Sequence, residues 1–228
     1  MGMKGRIALS AALGVVVIGV VSANAGQGMD GGPDGPRNGP SASSEDSAED
    51  GRPTGNAGPG ADTAAFGGDG AFRVGADIRP GTYRTTGNPG RRCHWERAED
   101  ASGSLGSALA GGSVGGTGYV TVEVTDKVFT SSGCARWRAV PVAAQGHPGT
   151  SMDGDGGMFR VGADVAPGTY RSAGNAPGSC SWERAEDATH EPGSVLAEDD
   201  VTGTAVVTIR ATDAYFTTTG CGDWKRTD

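Results

Sequence analysis

The chain has 228 residues, 42 of them glycine, and its 27 acidic and 19 basic residues give it a formal net charge of −8. A chain this acidic is repelled by nucleic acids and by anionic membranes, so we expect to find neither as a charge-driven partner. It holds four cysteines and three histidines and lacks a Walker loop and a dinucleotide-binding fingerprint. We therefore predict no cofactor and no metal site.

The first predicted element is a secretory signal peptide. Lys4 and Arg6 precede an apolar run at residues 7–21, and small residues follow at Ala23 and Ala25. This order predicts cleavage after Ala25 and a secreted protein without a stable membrane span. The alternative is an uncleaved membrane anchor, although the run is short for a full crossing.

Two segments are predicted to be linkers. Residues 26–68 are rich in Gly, Pro, Ser and Asp and contain one aromatic residue, Phe66. Such a segment cannot bury enough apolar surface to offset its ordering entropy, so we predict disorder. Residues 141–157 have a similar composition and are predicted to be a second linker. The remaining ranges, 69–140 and 158–228, are predicted to be two modules.

The two predicted modules are copies of one another. The offset is constant, since 159 − 72 and 180 − 93 are both 87. The identical stretches are F-R-V-G-A-D at 72–77 and 159–164, P-G-T-Y-R at 80–84 and 167–171, and W-E-R-A-E-D-A at 95–101 and 182–188. A residue that differs between the copies is therefore a poor candidate for an activity that both copies share.

Each copy contains two cysteines at matching positions. Four cysteines allow three pairings. Each copy must be able to close by itself, so the duplication favours Cys93 with Cys134 and Cys180 with Cys221. A metal site is the alternative, but two cysteines without a repeated histidine are too few ligands for zinc.

The modules are predicted to be all-β. Residues 119–124 alternate apolar and polar side chains, which predicts a strand with Val120, Val122 and Val124 on one face. Shorter strands are predicted at 82–86 and 93–97. Residues 99–117 are rich in Gly, Ser and Ala and are predicted to be a loop, with a short helix near 104–110 as an alternative. Short strands between Gly/Pro turns indicate a small β-sandwich or a partly open barrel.

The aromatic residues are interpreted as core. Each of the four tryptophans lies close to a cysteine in sequence, and a Trp beside a disulfide in a small β-domain usually packs inside. Stacking on a sugar ring is the alternative. Tyr119 and Tyr215 have no aromatic counterpart in the other copy, so we expect them at the surface.

Matched charged residues are the remaining candidates for a site. Arg84, Arg97, Arg171 and Arg184 are predicted ligand contacts, because a planar guanidinium can grip a carboxylate with two hydrogen bonds. Glu96 and Glu183 are matched acids, and paired acids can hydrolyse glycosidic bonds. Surface ion pairs are the ordinary explanation for such acids, so no catalytic residue is assigned.

Three motifs carry a resemblance to a known kind of module. V-G-A-D-[IV]-x-P-G-T-Y, C-x-W-E-R and G-C-x-x-W occur in both copies. Together they resemble a module of secreted proteins and lipoproteins of actinobacteria. The resemblance implies an extracellular module and no particular activity.

We therefore expect a secreted, non-enzymatic protein whose two modules bind an extracellular or cell-envelope ligand. Few contacts should cross so polar a linker, so each module should fold alone and the pair should add avidity. One alternative is a secreted hydrolase that uses the region of Glu96 and Glu183. Another is a secreted inhibitor that acts through loops such as residues 99–117.

Overall fold

The computed structural model describes residues 65–104, 106–143 and 146–228. The predicted signal peptide, the cleavage after Ala25 and nearly all of the predicted linker at 26–68 lie outside these residues. None of the described residues forms a helix with the length and apolar character that a bilayer crossing requires.

The first copy, module 1, is a six-stranded antiparallel unit. Its strands are β1 (Ala65–Phe66), β2 (Gly70–Arg73), β3 (Gly81–Ala98), β4 (Ala108–Val122), β5 (Val128–Ser132) and β6 (Trp137–Ala139). The long strand β3 is central: it pairs with β4 on one side and with β6 and then β5 on the other. β1 extends the sheet beyond β6, and β2 extends it beyond β5.

The second copy, module 2, repeats this arrangement. Its strands are β7 (Ser151–Met152), β8 (Gly157–Arg160), β9 (Gly168–Ala185), β10 (Val195–Ile209), β11 (Tyr215–Thr219) and β12 (Trp224–Arg226). β9 pairs with β10, β11 and β12, as β3 pairs with β4, β5 and β6. The sheets stay open at the edges, and the prediction of two tandem all-β modules is confirmed.

Each long central strand changes register in the middle. In β3 the pairing with β4 shifts on both sides of Asn88, and Gly87 and Gly90 take positive φ values of 77° and 60° that favour glycine. The Asn88 side chain holds this bend, because it donates to the Gly116 carbonyl (3.0 Å) and accepts from the Ala135 amide (2.7 Å). The bend lets the two halves of one sheet close over a shared core.

The tryptophans fill these cores, as the sequence predicts. Trp95, Trp137 and Trp224 are buried, whereas Trp182 keeps part of its surface exposed. The indole N–H of Trp137 donates to Ser131 Oγ (2.9 Å), and that of Trp224 donates to Thr218 Oγ1 (2.8 Å). Both buried N–H groups are satisfied, which a core tryptophan needs.

The cysteine pairing is confirmed. Cys93 bonds to Cys134 and Cys180 to Cys221, each pair 41 residues apart, and the described residues contain no free cysteine. Each disulfide ties the bend of the central strand to the segment between the last two strands of its own module.

The predicted loop at 99–117 is right for the described residues of 99–107 and wrong for 108–117, and the alternative of a short helix near 104–110 is wrong. Residues 108–122 form β4, which pairs with β3 along its length despite its many glycines. Pairing with a central strand outweighs the low β-propensity of Gly and Ser. β4 ends at Val122, so Val124 is 78% exposed and does not join the predicted apolar face.

The modules also begin earlier than the boundaries predicted at 69 and 158. β1 lies within the predicted linker 26–68, and β7 lies within the predicted linker 141–157. Both strands add to the last strand of their module, and two-residue strands leave no alternating pattern that composition could reveal.

Candidate functional site at the seam between the modules

The two modules pack directly against each other, and we call their contact surface the seam. At its centre, Tyr119 of β4 and Tyr215 of β11 lie with ring centroids 5.1 Å apart. Both rings are buried, together with Met158 and Ala188 of module 2. The expectation that the two tyrosines lie at the surface is therefore wrong, because each covers the other across the seam.

Hydrogen bonds cross the seam along the outer edge of β4. The Thr117 amide donates to the Gly156 carbonyl (2.9 Å), and the Thr121 amide donates to the Ala188 carbonyl (2.7 Å). The Tyr119 hydroxyl donates to Asp164 Oδ2 at 2.6 Å. Burial and the bonded Asp164 carboxylate raise the pKa of Tyr119 far above its usual value. The linker therefore joins two modules in contact, contrary to the expected independence.

Arg97 is the buried cation of the seam and cannot contact a ligand. Its side chain is fully buried, and its guanidinium donates to both carboxylate oxygens of Asp126, at 2.7 and 3.0 Å. It also donates to Glu123 (2.8 Å) and, across the seam, to the Thr189 carbonyl (2.6 Å). Burial opposes the charge, but these acids prevail and raise the pKa of Arg97.

The other predicted contacts separate into three environments. Arg184 repeats the arrangement of Arg97 and Asp126, a fork in which one guanidinium donates to both oxygens of one aspartate. Its partner is Asp213, at 2.7 and 2.9 Å, and its side chain is 12% exposed. Its guanidinium is thus occupied by an ion pair within module 2. Arg171 is exposed and reaches only Thr204, at 3.4 Å. Arg84 lies at the seam and lines a cleft there.

This seam cleft has a volume of about 230 Å³. It is lined by Arg84, Tyr119, Arg138, Ala139, Val140, Pro141, Ala143, Arg160, Ala163 and Asp164. Three arginines against one aspartate make it locally cationic, although the whole chain carries a net charge of −8. Module 1 supplies two of these arginines and module 2 supplies the third.

Arg84 and Arg138 are cross-strand neighbours, paired between β3 and β6. Like charges directly opposite each other in a sheet repel. Arg84 lies over the Tyr119 ring (5.3 Å to the centroid), and its Nη2 is 3.5 Å from Asp164 Oδ1. Its Nε is buried and has no hydrogen-bond partner among the residues that the structure describes. The cleft therefore keeps an unused N–H donor and an uncompensated positive charge.

Arg160 closes the opposite side of the cleft. Its guanidinium donates to the carbonyls of Pro141 (2.8 Å) and Val142. Its copy in module 1, Arg73, instead forms an ion pair with Asp77 at 3.0 Å. Neither Arg160 nor Arg138 is among the four arginines predicted from the sequence to contact a ligand. Arg160 is conserved between the copies, but nothing in the sequence distinguishes it from other matched charges, and the counterpart of Arg138 is Lys225.

The predicted acid pair does not form a repeated site. Glu183 lies opposite Glu198 on β10, and burial together with the charge of Glu198 raises the pKa of Glu183. Glu96 lies opposite Gly111, so no second carboxylate faces it across the strand. Within the described part of the chain, no three His, Cys, Asp or Glu residues are placed to hold a metal ion.

His190 is the titratable histidine of the seam. Its Nε2 lies 2.7 Å from the Tyr119 carbonyl, and its ring packs on Trp95 with centroids 4.8 Å apart. Burial lowers the pKa of His190, and the nearby charge of Arg97 adds to this effect. Protonation therefore puts a second cation beside a buried guanidinium, and the Tyr119 carbonyl and the Asp187 carboxylate offset it only in part.

We expect the chain to lose stability as the pH falls below about 6.5, the ordinary histidine pKa. The pKa is lower in the folded state, so the unfolded chain binds the proton more tightly and stability rises with pH. Urea unfolding at pH 7.5 and 5.5 measures this change. His190→Phe keeps a ring on Trp95 without titration, and it should reduce the pH dependence. An unchanged pH dependence in that variant would contradict this role of His190.

A comparison with family models matches the chain twice. The model described as the Rv1352-like extracellular domain matches residues 64–138 and 150–225, which correspond to module 1 and module 2. No curated protein and no solved structure matches the chain.

Proposed function

The chain belongs to the family of Rv1352-like extracellular domains through both of its modules, and from this premise we propose that it is a non-enzymatic extracellular binding protein. In this proposal, the seam cleft holds a compact anionic group, a carboxylate or a phosphate, at one end of a larger extracellular or cell-envelope ligand. The actinobacterial source and the secretory cleavage remain predictions beside it.

One observation carries the proposal: three arginines converge on one cleft in an otherwise acidic chain. Arg84 and Arg138 occupy directly opposite positions of β3 and β6, where like charges are unfavourable, and an anion bound between them would relieve the repulsion. The buried Arg84 Nε still has a hydrogen bond to make, and an unmade bond of a buried charged donor is costly. An oxyanion would satisfy both at once.

The size of the cleft supports a group rather than a whole molecule. Sites for drug-sized ligands have volumes of roughly 300–1,000 Å³, whereas this cleft has about 230 Å³. Both modules contribute arginines, so the proposal gives the chain one site rather than two equivalent ones. The second module is then required to complete the site, and it does not act through avidity.

We expect Arg138→Ala to weaken anion binding by about tenfold or more, the effect of losing one charge-assisted hydrogen bond. Arg138 is exposed on β6, so its removal should leave the fold intact. The probes are acetate and inorganic phosphate, titrated against the full chain at low ionic strength. The readout is the shift of the arginine Nε–H resonances. The two probes distinguish a carboxylate site from a phosphate site.

Arg136→Ala is the matched control, because it removes an exposed arginine outside the cleft and changes the net charge equally. The control should bind both anions as the parent chain does. Equal weakening in the two variants would reveal only general charge attraction, and saturation by neither anion would overturn the proposal.

A further inference from the structure

The seam has two unlike sides, and each module carries a copy of both. The donor face belongs to module 1 and comprises Arg84, Trp95, Arg97, Tyr119 and Thr121. The acceptor face belongs to module 2 and comprises Asp164 and the loop at residues 187–191. Because the modules are copies, a second donor face lies on module 2 and a second acceptor face lies on module 1.

The donor face of module 2 has the same geometry as the donor face of module 1, which lies in the seam. The fork between Arg184 and Asp213 repeats the fork between Arg97 and Asp126 within 0.1 Å. The Thr208 hydroxyl contacts Thr169 at 3.1 Å, as the Thr121 hydroxyl contacts Thr82 at 2.9 Å. The backbone and the cation of this face are therefore in place without rearrangement.

Every position of that face is more exposed than its counterpart in the seam. Val206 is 61% exposed, whereas Tyr119 at the same position is 2% exposed. Trp182 is partly exposed where Trp95 is buried, and Thr208 is exposed where Thr121 is half-buried. Within the described residues, no segment covers this face as module 2 covers module 1.

The acceptor face of module 1 keeps the loop, while its aspartate, Asp77, forms an ion pair with Arg73 that a docked arginine would have to share. In both loops an aspartate accepts a backbone N–H two residues on, Ser102 to Asp100 and Thr189 to Asp187, each at 2.8 Å. The amide that begins each loop also bonds to the carbonyl that ends it, at 2.9 Å in both. The described parts of the two loops therefore share these two contacts, and residues 101–104 are exposed.

We propose that the free donor face of module 2 docks the free acceptor face of module 1 in a second copy of this chain. The Thr208 amide would donate to the Ala101 carbonyl, and Arg184 Nη1 would donate to the Ser102 carbonyl. Arg171 would pair with an aspartate of the partner copy, the counterpart of Asp164. Such a head-to-tail contact joins unlike surfaces, so it extends into open chains of molecules unless the rotation closes a ring.

This contact is weaker than the seam, and the differing residues explain why. Val206 replaces Tyr119, Val128 replaces Tyr215, and Gly103 replaces His190. The tyrosine pair and the imidazole–indole contact are thus missing between molecules. Copies with a net charge of −8 also repel each other. Within one chain the linker supplies an effective concentration that separate molecules lack, so the contact between molecules forms at high protein concentration.

The test restores one missing residue. Val206→Tyr places a tyrosine where Tyr119 stands in the seam, at an exposed strand position that tolerates aromatic residues. Sedimentation equilibrium should show weak self-association of the parent chain and association at least about tenfold tighter in this variant. Val124→Tyr, at an exposed position away from the donor face, is the matched control and should associate as the parent does.

Two further changes, each made in the Val206→Tyr chain, identify the surface. Thr208→Pro removes the outward N–H of an edge strand, and Arg171→Glu reverses the charge that meets the partner's aspartate. Each should return the association to the parental level, and cross-links should join module 1 of one copy to module 2 of another. A chain that stays monomeric even with Val206→Tyr, or cross-links between like modules, would overturn the proposal.

Discussion

Replacing Arg97 with alanine is expected to lower the free energy of unfolding by about 3–5 kcal/mol, the cost of removing one partner from a buried ion pair. Asp126 is 1% exposed and would lose the guanidinium that donates to both of its carboxylate oxygens. The Thr189 carbonyl would lose its donor across the seam as well. Both effects destabilise the folded chain, and the second also weakens the contact between the modules.

Arg184→Ala is the matched control for this change. Arg184 donates to both oxygens of Asp213 in the same way, but its side chain is partly exposed and, among the described residues, hydrogen-bonds only within its own module. We expect the smaller loss in this variant, with the tyrosine contact at the seam intact. Chemical denaturation and the near-ultraviolet signal of the tyrosines measure both variants. Equal losses would mean that the seam contributes nothing to the role of Arg97.

Removing the disulfide of module 1 is expected to cost about 2–5 kcal/mol. The change is Cys93→Ala together with Cys134→Ala, so that no free thiol remains. The bond closes a chain segment of 41 residues and therefore restricts the unfolded state strongly. Each module is also small enough to need such a covalent restraint.

The matched variant removes Cys180 and Cys221, whose bond closes a segment of the same length. Because the seam links the modules, we expect either variant to lower the unfolding midpoint of the whole chain. Differential scanning calorimetry distinguishes the outcomes. One transition that moves to lower temperature supports coupling through the seam. An unshifted transition for the intact module would show that the modules unfold independently.

The sequence by itself determined the position of the two copies, their disulfides and most of their core residues. The repeated stretches located the two copies, the matched cysteines predicted both disulfides, and the tryptophans near them predicted the cores. These features depend on residues that serve one purpose in both copies, so comparing the copies reveals them. Only the tertiary structure located β4, because a glycine-rich segment becomes a strand when a central strand offers its hydrogen bonds.

The contact between the modules could not be predicted from the sequence either. Tyr119, His190 and Tyr215 differ from their counterparts, so comparing the copies dismissed them as site candidates. A contact between two copies joins unlike faces, so natural selection can change one copy at a position without changing the other. Arg97 and Arg184 show that residues which match in sequence can also differ in their environment. Both are arginines that donate to both oxygens of an aspartate in their own module, yet only packing against the other module buries Arg97 completely.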